Sequence, residues 1–243
     1  MKLHHGWPGV LLSIAVVLLS IVYYTLYYTP SVDTVNAHGA TPLCTAVLHG
    51  DLTMVMKLIA AGADINQATS DLGSYPTRGA TPLYIAAQEG HLAVVMKLIA
   101  AGALIEKAST TTGYTPLCIA AQEGHLTVVA KLIAAGALVD KAETKYGRTP
   151  LFMATFEGHC AVVTKLIAAG ALVDKARTTD GAPPLYIAAL EGHLTLVAKL
   201  IAAGADVNKG SIEPGTTGCV TTPLNIAADR GHTAIVSKLL QHS

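Results

Sequence analysis

A Thr-Pro-Leu triplet recurs through most of this 243-residue chain, and the repetition constrains its fold more than any other feature. The triplets begin at Thr41, Thr81, Thr115, Thr149 and Thr222, and Pro183-Pro184-Leu185 fills the fifth place. Successive triplets are about 34 residues apart in the middle of the chain, a period typical of stacked structural repeats. The repetition therefore predicts a solenoid, and solenoids generally provide extended binding surfaces.

Each unit has the sequence pattern of two short helices, as the second unit illustrates. Thr81 supplies an acceptor for the free amides of a helix start, and Pro82 suits the first helical position. Gly90 predicts the end of this helix, and the next helix has apolar residues at helical spacing, at Leu92, Val95, Leu98 and Ile99. One such pair cannot bury its apolar faces alone, so the pairs are expected to stack.

The pattern resembles the ankyrin repeat. The shared features are the Thr-Pro-Leu opening, a closing Gly-Ala, and a central Gly-His at Gly90-His91, Gly124-His125, Gly158-His159, Gly192-His193 and Gly231-His232. The resemblance covers residues 40–243 and implies an all-α solenoid of stacked helix pairs with turn or β-hairpin-like loops. The six expected repeats are 40–72, 80–112, 114–146, 148–180, 182–214 and 221–243.

Two departures from the ankyrin pattern bear on function. The family usually has a loop-tying His after Thr-Pro-Leu, so its replacement implies looser loops; the residues here are Cys44, Tyr84, Cys118, Phe152, Tyr186 and Asn225. The Asp that the family has after Gly-Ala is kept at Asp64 and Asp206 but replaced by Leu104, Leu138 and Leu172. If these leucines are exposed, they form an apolar row suited to a partner or a membrane surface. If they are buried, they are packing residues.

Two connections are longer than the others, at residues 67–79 and 209–220. Both are rich in Gly, Ser, Thr and Pro. This composition predicts extended surface loops rather than new helices or strands.

Residues 7–29 are predicted to form a transmembrane helix or signal anchor, after a tail of residues 1–6 and before a linker of residues 30–39. No charged residue lies between Gly6 and Val32, and the apolar stretch has about the 20 residues that a spanning helix needs. Trp7 at one end and the tyrosines at the other suit the two membrane interfaces. The alternatives are a cleaved secretory signal, with a site at Val35-Asn36-Ala37, and a buried soluble helix.

The side of the membrane that carries the repeats is open to two interpretations. Lys2 before the segment and Asp33 after it would place the repeats outside the cell. No cysteine pair is placed for a disulfide, no Asn-x-Ser/Thr acceptor exists, and the ankyrin resemblance implies an intracellular domain. The prediction is the cytosolic side.

Composition and motifs argue against chemistry and nucleic-acid binding. Sixteen acidic and sixteen basic residues give a net charge near zero without a basic stripe. The recurring histidines would be about 10 Å apart, too far to share a metal ion. No Gly-rich phosphate loop or Cys-x-x-Cys is present. We therefore predict no enzyme activity, no cofactor, no metal and no small-molecule substrate.

The remaining prediction is a protein partner. In ankyrin relatives, partners contact the turn before each Thr-Pro-Leu and the two residues before the central Gly on a concave face. The resemblance implies partner-binding residues at Gln88, Tyr114, Gln122, Tyr146, Arg148, Phe156, Asp180, Leu190 and Arg230. The predicted function is a membrane-anchored interaction module or adaptor. The alternatives are a secreted ankyrin protein and a self-associating scaffold without a dedicated partner.

Overall fold

The computed structural model describes residues 32–70, 78–212 and 220–242. Within these ranges twelve helices form six pairs, which confirms the predicted stack. The first helices are α1 (Pro42–Leu48), α3 (Pro82–Gln88), α5 (Pro116–Gln122), α7 (Pro150–Phe156), α9 (Pro184–Leu190) and α11 (Pro223–Asp229). The second helices are α2 (Leu52–Ala60), α4 (Leu92–Ala100), α6 (Leu126–Ala134), α8 (Cys160–Ala168), α10 (Leu194–Ala202) and α12 (Thr233–Leu240). We call each pair with its following loop a layer, numbered 1 to 6.

The first helices begin as the sequence predicts. Thr41 Oγ1 accepts the N–H of Cys44 at 3.1 Å, and the threonines that open layers 2, 3, 4 and 6 make the same bond. Proline follows at the first helical position, where its missing N–H leaves no bond unmade. Layer 5 opens with Pro183, which has no hydroxyl, so α9 has no side-chain cap.

Two rows of helices build the core. First helices pack on the first helices of neighbouring layers, and second helices pack on second helices. Ala86, Ala87, Ala120 and Ala121 are completely buried between first helices, where their small side chains allow close approach. The core is therefore one continuous cluster that runs through all six layers.

Backbone hydrogen bonds join the loops of successive layers without the loop histidine of the family. The N–H of Ser70 donates to Gly39 O at 2.7 Å, and the N–H of Thr110 donates to Gly79 O at 3.0 Å. The residues that replace the histidine fill the core instead; Cys44, Tyr84, Cys118, Phe152 and Tyr186 are all at most 5% exposed. Only Asn225 among these six is exposed.

The second long connection contains two short strands that its composition did not predict, although the ankyrin resemblance implies β-hairpin-like loops. Strand β1 (Ser211–Ile212) pairs antiparallel with β2 (Val220–Thr221), with Ser211 opposite Thr221. The expectation of a plain surface loop is wrong for these residues. The first long connection is described only up to Ser70 and from Arg78 onward.

The predicted tail and transmembrane segment fall in residues 1–31, outside the described part of the chain. Within the described ranges, no helix combines the length and apolar character needed to cross a membrane. Part of the predicted linker, residues 32–39, does contact the stack. Asp33 Oδ1 accepts the N–H of Asp64 at 2.9 Å, and Val32 packs against the core.

Candidate protein-binding surface

The recurring histidines join one layer to the next. His125 Nε2 lies 2.8 Å from Gln88 O, and His159 Nε2 lies 2.8 Å from Gln122 O. His91, His193 and His232 make the equivalent bond at 3.2 Å. A carbonyl oxygen can only accept, so each Nε2 carries the proton and donates. These five side chains hold the stack together rather than form a site.

The glycine before each histidine fits the histidine of the following layer. Gly124 has φ of +79°, and a Cβ placed there would lie 2.7 Å from the ring of His159. Gly90 stands in the same relation to His125, at 2.6 Å. The Gly-His pair is therefore an interlock in which one layer leaves room for the ring of the next. Gly231 in layer 6 meets nothing within 4 Å.

A second interlock runs along the loops at the opposite end of the layers. The carboxylate of Asp140 accepts the N–H of Leu172 at 3.0 Å, and the ammonium of Lys175 donates to Asp140 O at 2.7 Å. Asn66, Glu106 and Asp174 receive the same two bonds from the layers that follow them. Sequence reasoning missed this interlock, although the recurring acid-lysine pairs at Glu106-Lys107, Asp140-Lys141 and Asp174-Lys175 could have signalled it.

The predicted binding residue Arg148 lies in a cluster of its own chain. Its guanidinium stacks 4.6 Å from the ring centroid of Tyr146 and 5.2 Å from that of Tyr114. Its Nε pairs with Glu143 Oε1 at 3.3 Å. The structure thus brings Tyr114, Tyr146 and Arg148 together, as predicted for adjoining layers. The guanidinium of Arg148, however, already contacts two rings and a carboxylate of its own chain.

Tyr114 requires a correction, because its side chain is buried rather than exposed. It is 8% exposed, and its hydroxyl donates to Met153 Sδ at 3.9 Å. Burial raises the pKa of Tyr114 to about 12, against a smaller lowering by Arg148. Tyr114 therefore supports the loop from below and offers little surface to a partner.

Glu143 is the residue that sequence reasoning overlooked in this cluster. Although it is 3% exposed, its carboxylate accepts the N–H groups of Lys145 at 2.5 Å and Tyr146 at 2.7 Å. Burial raises the pKa of Glu143, but the backbone N–H groups of Lys145, Arg148 and Tyr146 outweigh it, and the net pKa is lowered. An ionised carboxylate at this position therefore shapes the loop of layer 3.

Asp180 takes part in a similar arrangement one layer further on. Its carboxylate pairs with Arg177 and accepts from Ser211 Oγ at 3.0 Å, while its carbonyl accepts the N–H of Ile212 at 2.8 Å. Burial raises the pKa of Asp180, yet the hydrogen bond from Arg177 and its other bonds lower it overall. Asp180 thus joins the loop of layer 4 to strand β1 in the loop of layer 5, and its predicted role with a partner has no support in these contacts.

The remaining predicted residues lie near the ends of the first helices. Phe156 is 42% exposed, whereas the other residues of α7, Pro150–Thr155, are buried. Leu190 occupies the same position in layer 5 and is half-buried against the core. Gln88 and Gln122 hold this position in layers 2 and 3 and are half-buried, while Arg230 is exposed.

The leucine row is exposed in all three layers. Leu104, Leu138 and Leu172 are 55%, 58% and 58% exposed. In layers 1 and 5 the retained aspartates each accept a backbone N–H two residues ahead, Asp64 from Asn66 at 2.8 Å and Asp206 from Asn208 at 2.9 Å. The leucines cannot make this bond. Because all three are exposed, they form the apolar row that the sequence predicts for exposed leucines.

Six stacked helix pairs joined by interlocks at both ends define a helical repeat protein of the solenoid class. A family model described as ankyrin repeats, in three copies, matches residues 12–109, 43–141, 83–177 and 139–211. The chain belongs to the ankyrin repeat family, which is typically a non-enzymatic protein-interaction fold. No curated protein matches the sequence significantly. In the described ranges, no group of three or more His, Cys, Asp or Glu residues is arranged to hold a metal ion.

Proposed function

We propose that this protein is an interaction module that binds a protein partner across the ends of its first helices. The observation that carries the proposal is the exposure of Phe156, because transfer of the apolar surface of its ring from water into an interface with a partner is favourable. The backbone of Phe156 is already fixed, since its carbonyl accepts from His193 Nε2. Binding would therefore order only the ring.

The residues on either side of Phe156 have the composition expected of an interface. Reading along layers 2 to 6, the equivalent positions hold Gln88, Gln122, Phe156, Leu190 and Asp229, while layer 1 holds Leu48, which packs against the core. Within layers 2 to 6, two apolar side chains lie in the centre and polar side chains lie at the ends. Protein interfaces have the same arrangement, an apolar centre within a polar rim. We call these five residues the helix-end row.

Replacing the two central side chains tests this assignment. Phe156→Gln with Leu190→Gln extends the glutamine pattern of layers 2 and 3 and leaves the inter-layer bonds intact. The matched control is Met56→Gln, because Met56 is also 42% exposed but lies on a second helix. Partners captured by the wild-type protein are identified by mass spectrometry and their affinity is measured with each purified variant.

We expect the double variant to lose at least about tenfold in affinity, as hot-spot aromatic residues usually do, while Met56→Gln binds normally. Equal affinity of all three proteins, with unchanged melting temperatures, would assign binding to another surface.

The location of this module rests on sequence alone. A membrane anchor at residues 7–29 with the repeats on the cytosolic side stays a prediction, since residues 1–31 are outside the described part of the chain. Protease protection in sealed vesicles, with tags at both ends, tests it. Loss of the C-terminal tag from the cytosolic side would support the adaptor. A new N-terminus near His38 would support secretion.

A further inference from the structure

Layer 1 exposes positions that are buried in every inner layer. Met54 is 43% exposed, whereas the equivalent Val94, Val128, Val162 and Leu196 are at most 1% exposed. Pro42 is exposed, although the proline that opens each later layer is buried. In inner layers these positions are covered by the preceding layer. We call this surface of layer 1, formed by Ala40, Pro42, Ala46, Met54 and Leu58, the end face.

The end face is concave and mostly apolar. It borders a pocket of about 430 Å³ whose lining also includes Thr34, Asn36, Thr45, His49 and Asp51. Leu58 is half-buried here, while its equivalents Leu98, Leu132, Leu166 and Leu200 are completely buried. An apolar surface of this kind favours a covering layer.

Residues 32–40 make the contacts with layer 1 that the loop of an inner layer makes with the layer after it. Asp33 accepts the N–H of Asp64 as Asn66 accepts that of Leu104. Gly39 O accepts the N–H of Ser70 as Gly79 O accepts that of Thr110. Val32 packs on the core as Ile65 and Val139 do. The loop interlock therefore begins one layer before the first described helix pair.

The last layer shows which helix positions face forward along the stack. Leu240 is 58% exposed, although the equivalent Ile99 and Ile133 are packed against the core. Val236 is half-buried, whereas the equivalent Val95 is completely buried. Forward-facing residues are thus the fourth and eighth of a second helix. In α2 they are Val55 and Ile59.

Counting back from Asp33 places the same pattern before residue 32. The step from Leu19 to Asp33 equals that from Leu52 to Asn66 and that from Leu126 to Asp140. In this register the forward-facing positions are Val22 and Leu26, both large and apolar. The positions equivalent to the exposed Thr53, Met56, Lys57 and Ala60 are Ser20, Tyr23, Tyr24 and Tyr27.

We propose that residues 19–27 form the second helix of an additional layer and cover the end face with Val22 and Leu26. The first ankyrin match, which begins at residue 12, extends the repeat pattern into this segment. A helix committed to the end face cannot also cross a bilayer, since residues 7–18 fall short of the about 20 residues needed. The membrane is therefore the rival occupant of the same residues, and the test separates the two.

Thiol labelling of the full-length chain measures whether the end face is covered. Met54→Cys and Met56→Cys are compared, because these side chains are 43% and 42% exposed but only Met54 lies on the end face. Both carry Cys160→Ser and Cys219→Ser, and the native Cys44 and Cys118 are buried. We expect a water-soluble maleimide to label the Met54→Cys protein about tenfold more slowly than the Met56→Cys protein.

A charge in the proposed contact provides the matched control. Val22→Glu should bring the labelling rate of Met54→Cys up to that of Met56→Cys, because a carboxylate is costly against the apolar end face. Ser20→Glu, on the outward side of the same segment, should leave the protection intact. Protection that is lost equally with both glutamates would contradict the proposed register.

Three results would overturn the proposal. One is equal labelling of the Met54→Cys and Met56→Cys proteins. Another is protection that rises with protein concentration, which would assign the end face to a second copy of the chain. The last is recovery of the chain only in membranes that retain it through an alkaline wash, with Met54→Cys labelled as fast as Met56→Cys.

Discussion

The two ends of each layer differ in how uniform their residues and contacts are from layer to layer. At the turn end, which carries the Gly-His turns, one residue type makes the same bond at five junctions, from His91 to His232. At the loop end, one structural position three residues after the interlock acid or amide differs from layer to layer. It holds Asn36, Thr69, Ser109, Glu143, Arg177 and Ser211.

The loop-end residues stabilise equivalent loops through different kinds of hydrogen bond with the backbone. Thr69 Oγ1 accepts the N–H of Ala80 at 3.1 Å, Ser109 Oγ donates to Arg78 O at 3.2 Å, and Glu143 binds three backbone N–H groups. The turn end tolerates no such variety because each ring must fit beside a glycine of the previous layer. The turn end therefore joins the layers by one repeated contact, whereas the loop end combines a repeated interlock with a residue that is buried in most layers and whose chemistry differs from layer to layer.

The largest expected effect comes from breaking the turn end. Gly124→Ala should destabilise the protein by about 2–4 kcal/mol, because alanine is strained at φ of +79° and its Cβ would lie 2.7 Å from the His159 ring. Gly136→Ala shares the positive φ but meets nothing within 4 Å, so it should cost only about 1 kcal/mol. Urea denaturation measures both. Equal losses would show that the ring contributes nothing beyond backbone strain.

A smaller effect is expected from the loop end of layer 3. Glu143→Gln should cost about 1–2 kcal/mol at neutral pH, because a neutral amide cannot accept all the N–H groups bound by the carboxylate. The loss should appear in thermal or urea unfolding. Glu123→Gln is the control, since Glu123 is exposed and its carboxylate accepts a hydrogen bond from the neighbouring Gln122 side chain.

The effect of Glu143 should depend on pH in a defined direction. Its folded pKa is lowered from the ordinary 4.5, so its stabilisation is complete above that value and declines as the pH falls through the folded pKa. The stability difference between wild type and Glu143→Gln should therefore shrink on acidification below about pH 4.5. A difference that stays constant down to pH 2 would contradict the ionised carboxylate.

The smallest expected effect is at the leucine row. Leu138→Asp restores a carboxylate that can accept the N–H two residues ahead, as Asp64 and Asp206 do in their layers. Stability should change by less than about 1 kcal/mol, because the leucine is exposed and the gain is one turn hydrogen bond. Self-association measured by light scattering should fall. A large loss of stability would mean that Leu138 packs against the fold.

The spacing of the repeats, the helix pairs, their caps and the glycines that end them could all be predicted from the sequence. Thr115 and Pro116 fix a helix start through atoms a few residues away, and Gly124 marks the end of that helix in the same local way. Because every unit repeats these local signals, the six-layer stack followed from the sequence alone. The candidate binding residues were placed only approximately, since exposure depends on neighbouring layers.

The burial of side chains and the hydrogen bonds between layers become visible in the tertiary structure. Tyr114 and Phe156 both looked like exposed aromatics, yet one is buried beneath Arg148 and the other is open. The bonds of His159 to Gln122 and of Lys175 to Asp140 join residues more than a repeat apart. Local sequence fixes backbone conformation within a layer, whereas burial and pairing depend on contacts between layers, which form only when the stack is assembled.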